Sequence, residues 1–213
     1  MRLSTSVYER HGDDTLSASV YNFVIGICLL FGFAVTAFTA FTFADLKLTL
    51  VHYIGYLVGS IAGIIISAKS KNAVISFLGY MMVVVPFGVI LGPTLNSFAP
   101  GLVYQAAMIT GIITGVMLIL STAFPSFFAK LGRVLFICLI GLVVASLITM
   151  FMGVRPTILS WISAALFSLY IGYDWYRAQN IPYTMDNAVD VCVSLYLDIV
   201  NLFLSILNIL RDD

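Results

Sequence analysis

Asp190, Ser194, Asp198, Asn201, Ser205 and Asn208 recur at steps of four and three residues within one hydrophobic run, Asp186 to Leu210. At about 100° per residue, these six side chains fall in a sector roughly 80° wide on one helix face. The remaining faces carry Val, Leu, Ile, Phe, Cys and Tyr. A run of this length can cross a bilayer, which places Asp198 near the middle of the crossing. A carboxylate at that depth costs at least a few kcal/mol, and such groups face a water-filled path or a partner. The polar seam therefore marks a central helix lining a polar pathway. Asp198 is its key acid, with Asp190, Ser194 and Asn201 beside it and Asp186 at its start.

Asp174, near the end of the preceding apolar run, is the second acid of interest. The apolar stretch around it, Leu166 to Tyr176, predicts that it is partly submerged. Two carboxyls within hydrogen-bonding distance in a poorly hydrated site cannot both stay ionised cheaply, because like charge and desolvation oppose the second ionisation. Such a pair shares one proton and titrates as a unit, so modest acidification changes its charge. Fully ionised, it repels itself and attracts a cation. Calcium prefers hard oxygen ligands, and two carboxylates with Ser, Asn or backbone oxygens make a weak site. Weakness suits conduction, since an ion has to leave as easily as it enters. Asp174 and Asp198 are thus the candidates for a pH response and for a weak, transient calcium site.

Each group also has a plainer reading. Arg177 follows Asp174 by three residues, the spacing of an intrahelical ion pair worth a few tenths of a kcal/mol. Asp186 suits the N-cap or first turn of the last helix. Asp190 reads as a vestibule acid or as a solvated first-turn residue. Ser194, Ser205 and Asn208 suit interhelical hydrogen bonds. Tyr170, Tyr173 and Tyr196 read mainly as packing, and His11 and His52 as incidental. Cys28, Cys138 and Cys192 lie in three separate runs without paired spacing, which points to small core residues.

The elements that position these groups follow from composition. Of 213 residues, 61% are hydrophobic and 9% charged, against roughly 25% charged in an ordinary soluble domain. The formal charge is zero, so no nucleic-acid partner is expected. Successive runs predict spanning helices at about 20–43, 51–68, 73–95, 102–124, 134–152, 158–175 and 186–210. The expected fold is therefore all-α: a short polar N-terminal tail over residues 1–19, then a single seven-helix transmembrane domain over 20–213. Gly55, Gly59 and Gly63 in the second run form a small-residue ridge suited to close helix packing, as do Ala107, Gly111 and Gly115 in the fourth. Pro86, Gly88, Gly92 and Pro93 in the third run predict a kink or hinge.

Cations near the helix ends give an orientation. With the N-terminus inside, cytosolic segments hold Arg2, Arg10, Lys69, Lys71, Lys130, Arg133 and Arg177, while the far side holds Lys47, Arg155 and Arg211. That distribution favours a cytosolic N-terminus, and an odd number of crossings then puts the C-terminus outside.

Two segments carry a resemblance. Ser168-Leu169-Tyr170-Ile171-Gly172-Tyr173-Asp174 and Ser194-Leu195-Tyr196-Leu197-Asp198-Ile199-Val200-Asn201-Leu202-Phe203 resemble the C-terminal signature of the transmembrane Bax inhibitor motif family. Gly88-Val89-Ile90-Leu91-Gly92-Pro93 is similar to its bacterial members, and size and helix count agree over the whole chain. The resemblance implies a seven-helix fold with the last helix enclosed by the other six, in a bacterial inner membrane. It implies that Asp174 and Asp198 form a hydrogen-bonded pair acting as pH sensor of a calcium leak. It further implies a basic latch on the second helix. That helix holds no arginine, so Lys69, Lys71 or Arg177 is left for the role, and lysine cannot make arginine's bidentate pair.

Three functions compete: a pH-regulated calcium leak channel, a regulator of a membrane-anchored ATP-dependent protease as the resemblance implies for some bacterial relatives, and a proton-coupled cation carrier. The expected partners are the lipid bilayer, calcium, protons and, in the second case, a membrane protein. No nucleophile–base set, metal cluster or phosphate loop is visible, so neither an enzyme nor a resident cofactor is expected. Calcium enters only as a transported ion. The channel is the favoured reading.

Overall fold

The computed structural model describes residues 15–154 and 156–212. Most of the expected N-terminal tail, with Arg2, Arg10 and His11, lies outside the described residues, as does Arg155. Every regular element among the described residues is helical: α1 (Ala18–Thr42), α2 (Leu50–Lys69), α3 (Ala73–Leu95), α4 (Pro100–Ala123), α5 (Pro125–Phe128), α6 (Gly132–Phe151), α7 (Thr157–Ala178) and α8 (Met185–Asp212).

Local chemistry sets several of these limits. Ser17 caps α1 by accepting from the Val20 amide at 3.3 Å, and Asn72 caps α3 by accepting from the Val74 amide at 2.9 Å. His52 has a structural task rather than the incidental place expected of it. Its Nδ1 accepts from the Thr49 amide at 3.1 Å and closes a capping box at the start of α2. Pro100 opens α4 and Pro125 opens α5, where a missing amide hydrogen costs nothing.

Among the described residues, six helices, α1, α2, α3, α4, α6 and α8, are long and apolar enough to cross a membrane. Large apolar side chains on their outer faces, Phe41, Leu50, Ile119 and Phe151 among them, are exposed, as suits lipid-facing surface. The sequence predicts a seventh crossing over 158–175. There α7 has the length, at 22 residues, but Ser160, Ser163, Ser168, Tyr170, Tyr173 and Asp174 dilute its apolar content. This is the physical reason that it stands apart from the six.

The helices sort into two compact units. One holds α1, α2, α3 and the part of α8 up to Tyr196. In it α2 and α3 touch backbone to backbone at Gly63 and Gly79, where a Cβ on either residue would meet the other's carbonyl oxygen. The face that α2 buries is Ser60, Gly63 and Ser67. Gly55 has open space beside it, so the packing stripe is displaced from the glycine ridge that spacing alone suggests. Through Pro86 and Pro93, α3 remains one unbroken helix. A Cβ at Gly88 would overlap Thr39 of α1, and one at Gly92 would overlap the Ala40 carbonyl. That stretch is closely packed. Tyr196 of α8 lies edge-on to Tyr80 and Phe87, with ring centroids 5.6 and 6.1 Å apart, and its hydroxyl shares a 2.6 Å hydrogen bond with Thr36.

The other unit holds α4 to α7 and α8 from Leu197 onward. The end of α7 is wedged in place at two glycines. Phe128 of α5 covers Gly172, and the Tyr173 ring covers Gly132 at the start of α6. Ser121 of α4 donates to the Gly172 carbonyl at 2.6 Å. In contrast, Gly111 and Gly115 of α4 have nothing within reach of an added Cβ, so the expected α4 ridge makes no such contact.

Candidate functional site

Asp174 sits one turn before the end of α7, on the stretch that Gly172 and Tyr173 lock against α4, α5 and α6. It is 8% exposed. Arg177 Nη1 donates to its Oδ1 at 3.3 Å, the two residues being one turn apart on the same helix. Asp198 of α8 is also among the groups surrounding Asp174, and Asp198 has both Asp174 and Arg177 in its own surroundings. Asp198 is 7% exposed, and its Oδ2 is fully buried without a hydrogen-bond partner in the protein. An orphaned buried acceptor of this kind costs on the order of 1–3 kcal/mol, more if charged. A cation at the unpaired oxygen removes that cost, and protonation lowers it by removing the charge.

The N-terminal acids of α8 lie in the other unit, each met by a serine. Ser67 near the end of α2 donates to Asp190 Oδ1 in a short bond, and Ser76 in the first turn of α3 donates to Asp186 Oδ1 at 2.6 Å. Ser76 also reaches the Ser67 carbonyl at 3.3 Å. Both serines are buried, at 2% and 0% exposure. Sequence reasoning did not single them out. The available signal was their spacing from the buried glycines: Ser67 is four residues beyond Gly63, and Ser76 three before Gly79. Lys69 stands exposed in the last turn of α2, and Lys71 is exposed just beyond it. Arg177 is the cation in contact with Asp174.

The polar seam of α8 is therefore divided. Asp186, Asp190 and Ser194 belong to the α1–α3 unit, while Asp198, Asn201, Ser205 and Asn208 belong to the α4–α7 unit. Ser194 is half-buried. The amide nitrogens of Asn201 and Asn208 donate one turn back along α8, to the Leu197 and Leu204 carbonyls at 2.7 and 2.9 Å. Ser205 donates to the Asn201 carbonyl and shares a 2.7 Å hydrogen bond with Ser163 of α7. Beyond Asp198, these residues line a cavity of about 560 Å³ between the last parts of α6 and α8 and the first part of α7.

A family model described as "Inhibitor of apoptosis-promoting Bax1" matches residues 15–213. An uncharacterized protein of Helicobacter pylori strain J99 is 42% identical over 124 residues, covering 57% of this chain and 53% of that protein. A "BI1-like protein" of Arabidopsis thaliana is 38% identical over 119 residues, covering 52% and 45% respectively. An uncharacterized membrane protein of Streptococcus pyogenes serotype M1 is 32% identical over 151 residues, 67% of this chain and 66% of the relative. The matched stretch thus spans about half the length of the Helicobacter and Arabidopsis relatives. With all but the first fourteen residues matched and six apolar helices of spanning length, this chain is an integral membrane protein of the Bax inhibitor family.

Proposed function

We propose that this protein is a pH-regulated calcium leak channel in which Asp174 and Asp198 share a proton in the closed state. The observation that carries the reading is Asp198, buried midway along an apolar helix with Oδ2 unpaired and Asp174 among its neighbours. In this reading α7 is the seventh crossing and α8 the helix enclosed by the rest. The large buried share of α8, 56% against at most 44% in the other five candidate spans, supports that arrangement.

With one proton between them, the two carboxyls carry a single negative charge that Arg177 offsets. Loss of the proton leaves two charges in a poorly hydrated site, where repulsion favours separation and the added charge draws in a cation. Calcium then meets two carboxylates and neutral oxygens, a set too sparse to hold it tightly. The sign follows directly: flux rises as pH rises through the titration of the pair and falls on acidification. Purified protein in liposomes loaded with a calcium dye tests this. Flux above that of empty vesicles, and larger at pH 8 than at pH 6, is expected. Flux equal to that of empty vesicles across this range ends the channel reading.

A further inference from the structure

The cavity beyond Asp198 differs chemically from the acid pair. Its polar wall is made of hydroxyls and amides: Ser146 of α6, Ser160 and Ser163 of α7, and Asn201, Ser205 and Asn208 of α8, with Arg211 at the α8 end. No carboxylate is among its lining residues. Asn201 and Asn208 each commit one amide N–H to a carbonyl one turn back, which leaves the amide oxygen as the group on each side chain that can meet a cation. The two residues are seven apart, so these oxygens stand about 10 Å apart along the helix axis. Asn201 is three residues, about one turn, beyond Asp198, whose Oδ2 is the buried oxygen without a partner. A volume of 560 Å³ accommodates on the order of twenty waters at the roughly 30 Å³ each occupies in the liquid.

We propose that this cavity is a water-filled vestibule through which cations and protons reach Asp198 from the α8 C-terminal side of the membrane, with the Asn208 and Asn201 amide oxygens as successive weak contacts. The inference rests on the channel reading and assigns it a side of access. Neutral oxygens suit the role, since they stabilise a partly dehydrated cation without holding it as a carboxylate cage does.

The test uses single-cysteine variants, Asn208→Cys and Ser160→Cys, in a background with Cys28, Cys138 and Cys192 replaced by Ala. A lipid-exposed Phe136→Cys serves as the control. Proteoliposomes receive a membrane-impermeant cationic methanethiosulfonate from the side bearing the C-terminus, and labelling is read as an intact-mass shift. Both vestibule cysteines are expected to be labelled and calcium flux to fall, while Phe136→Cys stays unlabelled. Normal flux with neither vestibule cysteine labelled from that side overturns the vestibule and leaves the channel standing. Labelling in a protein without flux in any state removes the channel, and with it the ion route, leaving only a wet cavity. If the cysteine-free background does not fold, Asn208→Asp in the native-cysteine protein decides the same question. A charge on the route should raise flux about threefold at low salt, and unchanged flux overturns the proposal.

Discussion

Replacing Asp198 by Asn keeps the size of the side chain and removes its charge, so it separates electrostatics from packing. If the acid pair gates a leak, Asp198→Asn in liposomes should flatten the pH dependence of calcium flux while leaving the protein folded. A variant that keeps the wild-type pH response would remove Asp198 from the mechanism. Arg177→Ala asks a different question of the 3.3 Å ion pair with Asp174. As a helix-end pair alone, the contact is worth a few tenths of a kcal/mol, and its loss would leave flux and its pH midpoint unchanged. As the cation that offsets the proton-sharing pair, its removal should shift the pH midpoint of flux upward, because the shared proton is then held more tightly. Asp190 and Asp186 behave otherwise, each being bound by a buried serine hydroxyl. Position along the helix separates them from Asp198 in depth, but the spacing of the acids does not show what each one meets. The distinction lies in which residue of another helix stands opposite, and that depends on rotation about the helix axis.

At the scale of the elements, glycines make opposite predictions in α3 and α4. Gly88→Ala drives a methyl group into Thr39 and the Thr36 carbonyl, and overpacking of this sort costs about 1–3 kcal/mol. Gly111→Ala and Gly115→Ala add methyl groups to open space, so the helix-propensity gain of up to about 1 kcal/mol is unopposed. Thermal unfolding in detergent should therefore show Gly88→Ala melting lower than the wild type, and the α4 pair melting level with it or higher. The reverse order would refute the close packing of α1 on α3. The same positions show what the sequence could reveal. Apolar runs located the spanning helices closely, and Ala73 to Leu95 coincides with α3, because the bilayer fixes the length of an apolar run. Four-residue glycine spacing in α2 pointed to a ridge at Gly55, Gly59 and Gly63, whereas the buried stripe is Ser60, Gly63 and Ser67. Small-residue spacing identifies a face that allows close approach. It does not say whether a neighbour occupies it, and for α4 none fills the space beside Gly111 and Gly115. The acids of the α8 seam were legible for the opposite reason, since carboxylates inside an apolar run have few tolerable environments.

For the whole molecule, the number of crossings decides where the termini lie. The six helices with clear spanning character give an even count, and α7 makes it odd. With α7 crossing and the N-terminal side cytosolic, a reporter enzyme active only outside the cytosol should work when fused after Asp213 and fail when fused before Met1. Activity at both ends or at neither would show that α7 does not cross, and would end the enclosed-helix arrangement. The chain also has two tryptophans, Trp161 and Trp175, in very different places. Trp161 is 57% exposed near the start of α7. Trp175 adjoins Asp174 in sequence, with its indole N–H directed at Thr122 Oγ1 at 3.3 Å. In a Trp161→Phe variant, the indole emission, excited beyond the tyrosine absorption band, comes from a single side chain next in sequence to the acid proposed to titrate. Its wavelength maximum responds to a charge appearing nearby and to hydration of the α7 end. A sigmoidal change in colour with pH, lost on Asp174→Asn, would let the protonation of this site be followed optically, without a dye, an ion gradient or any transport at all.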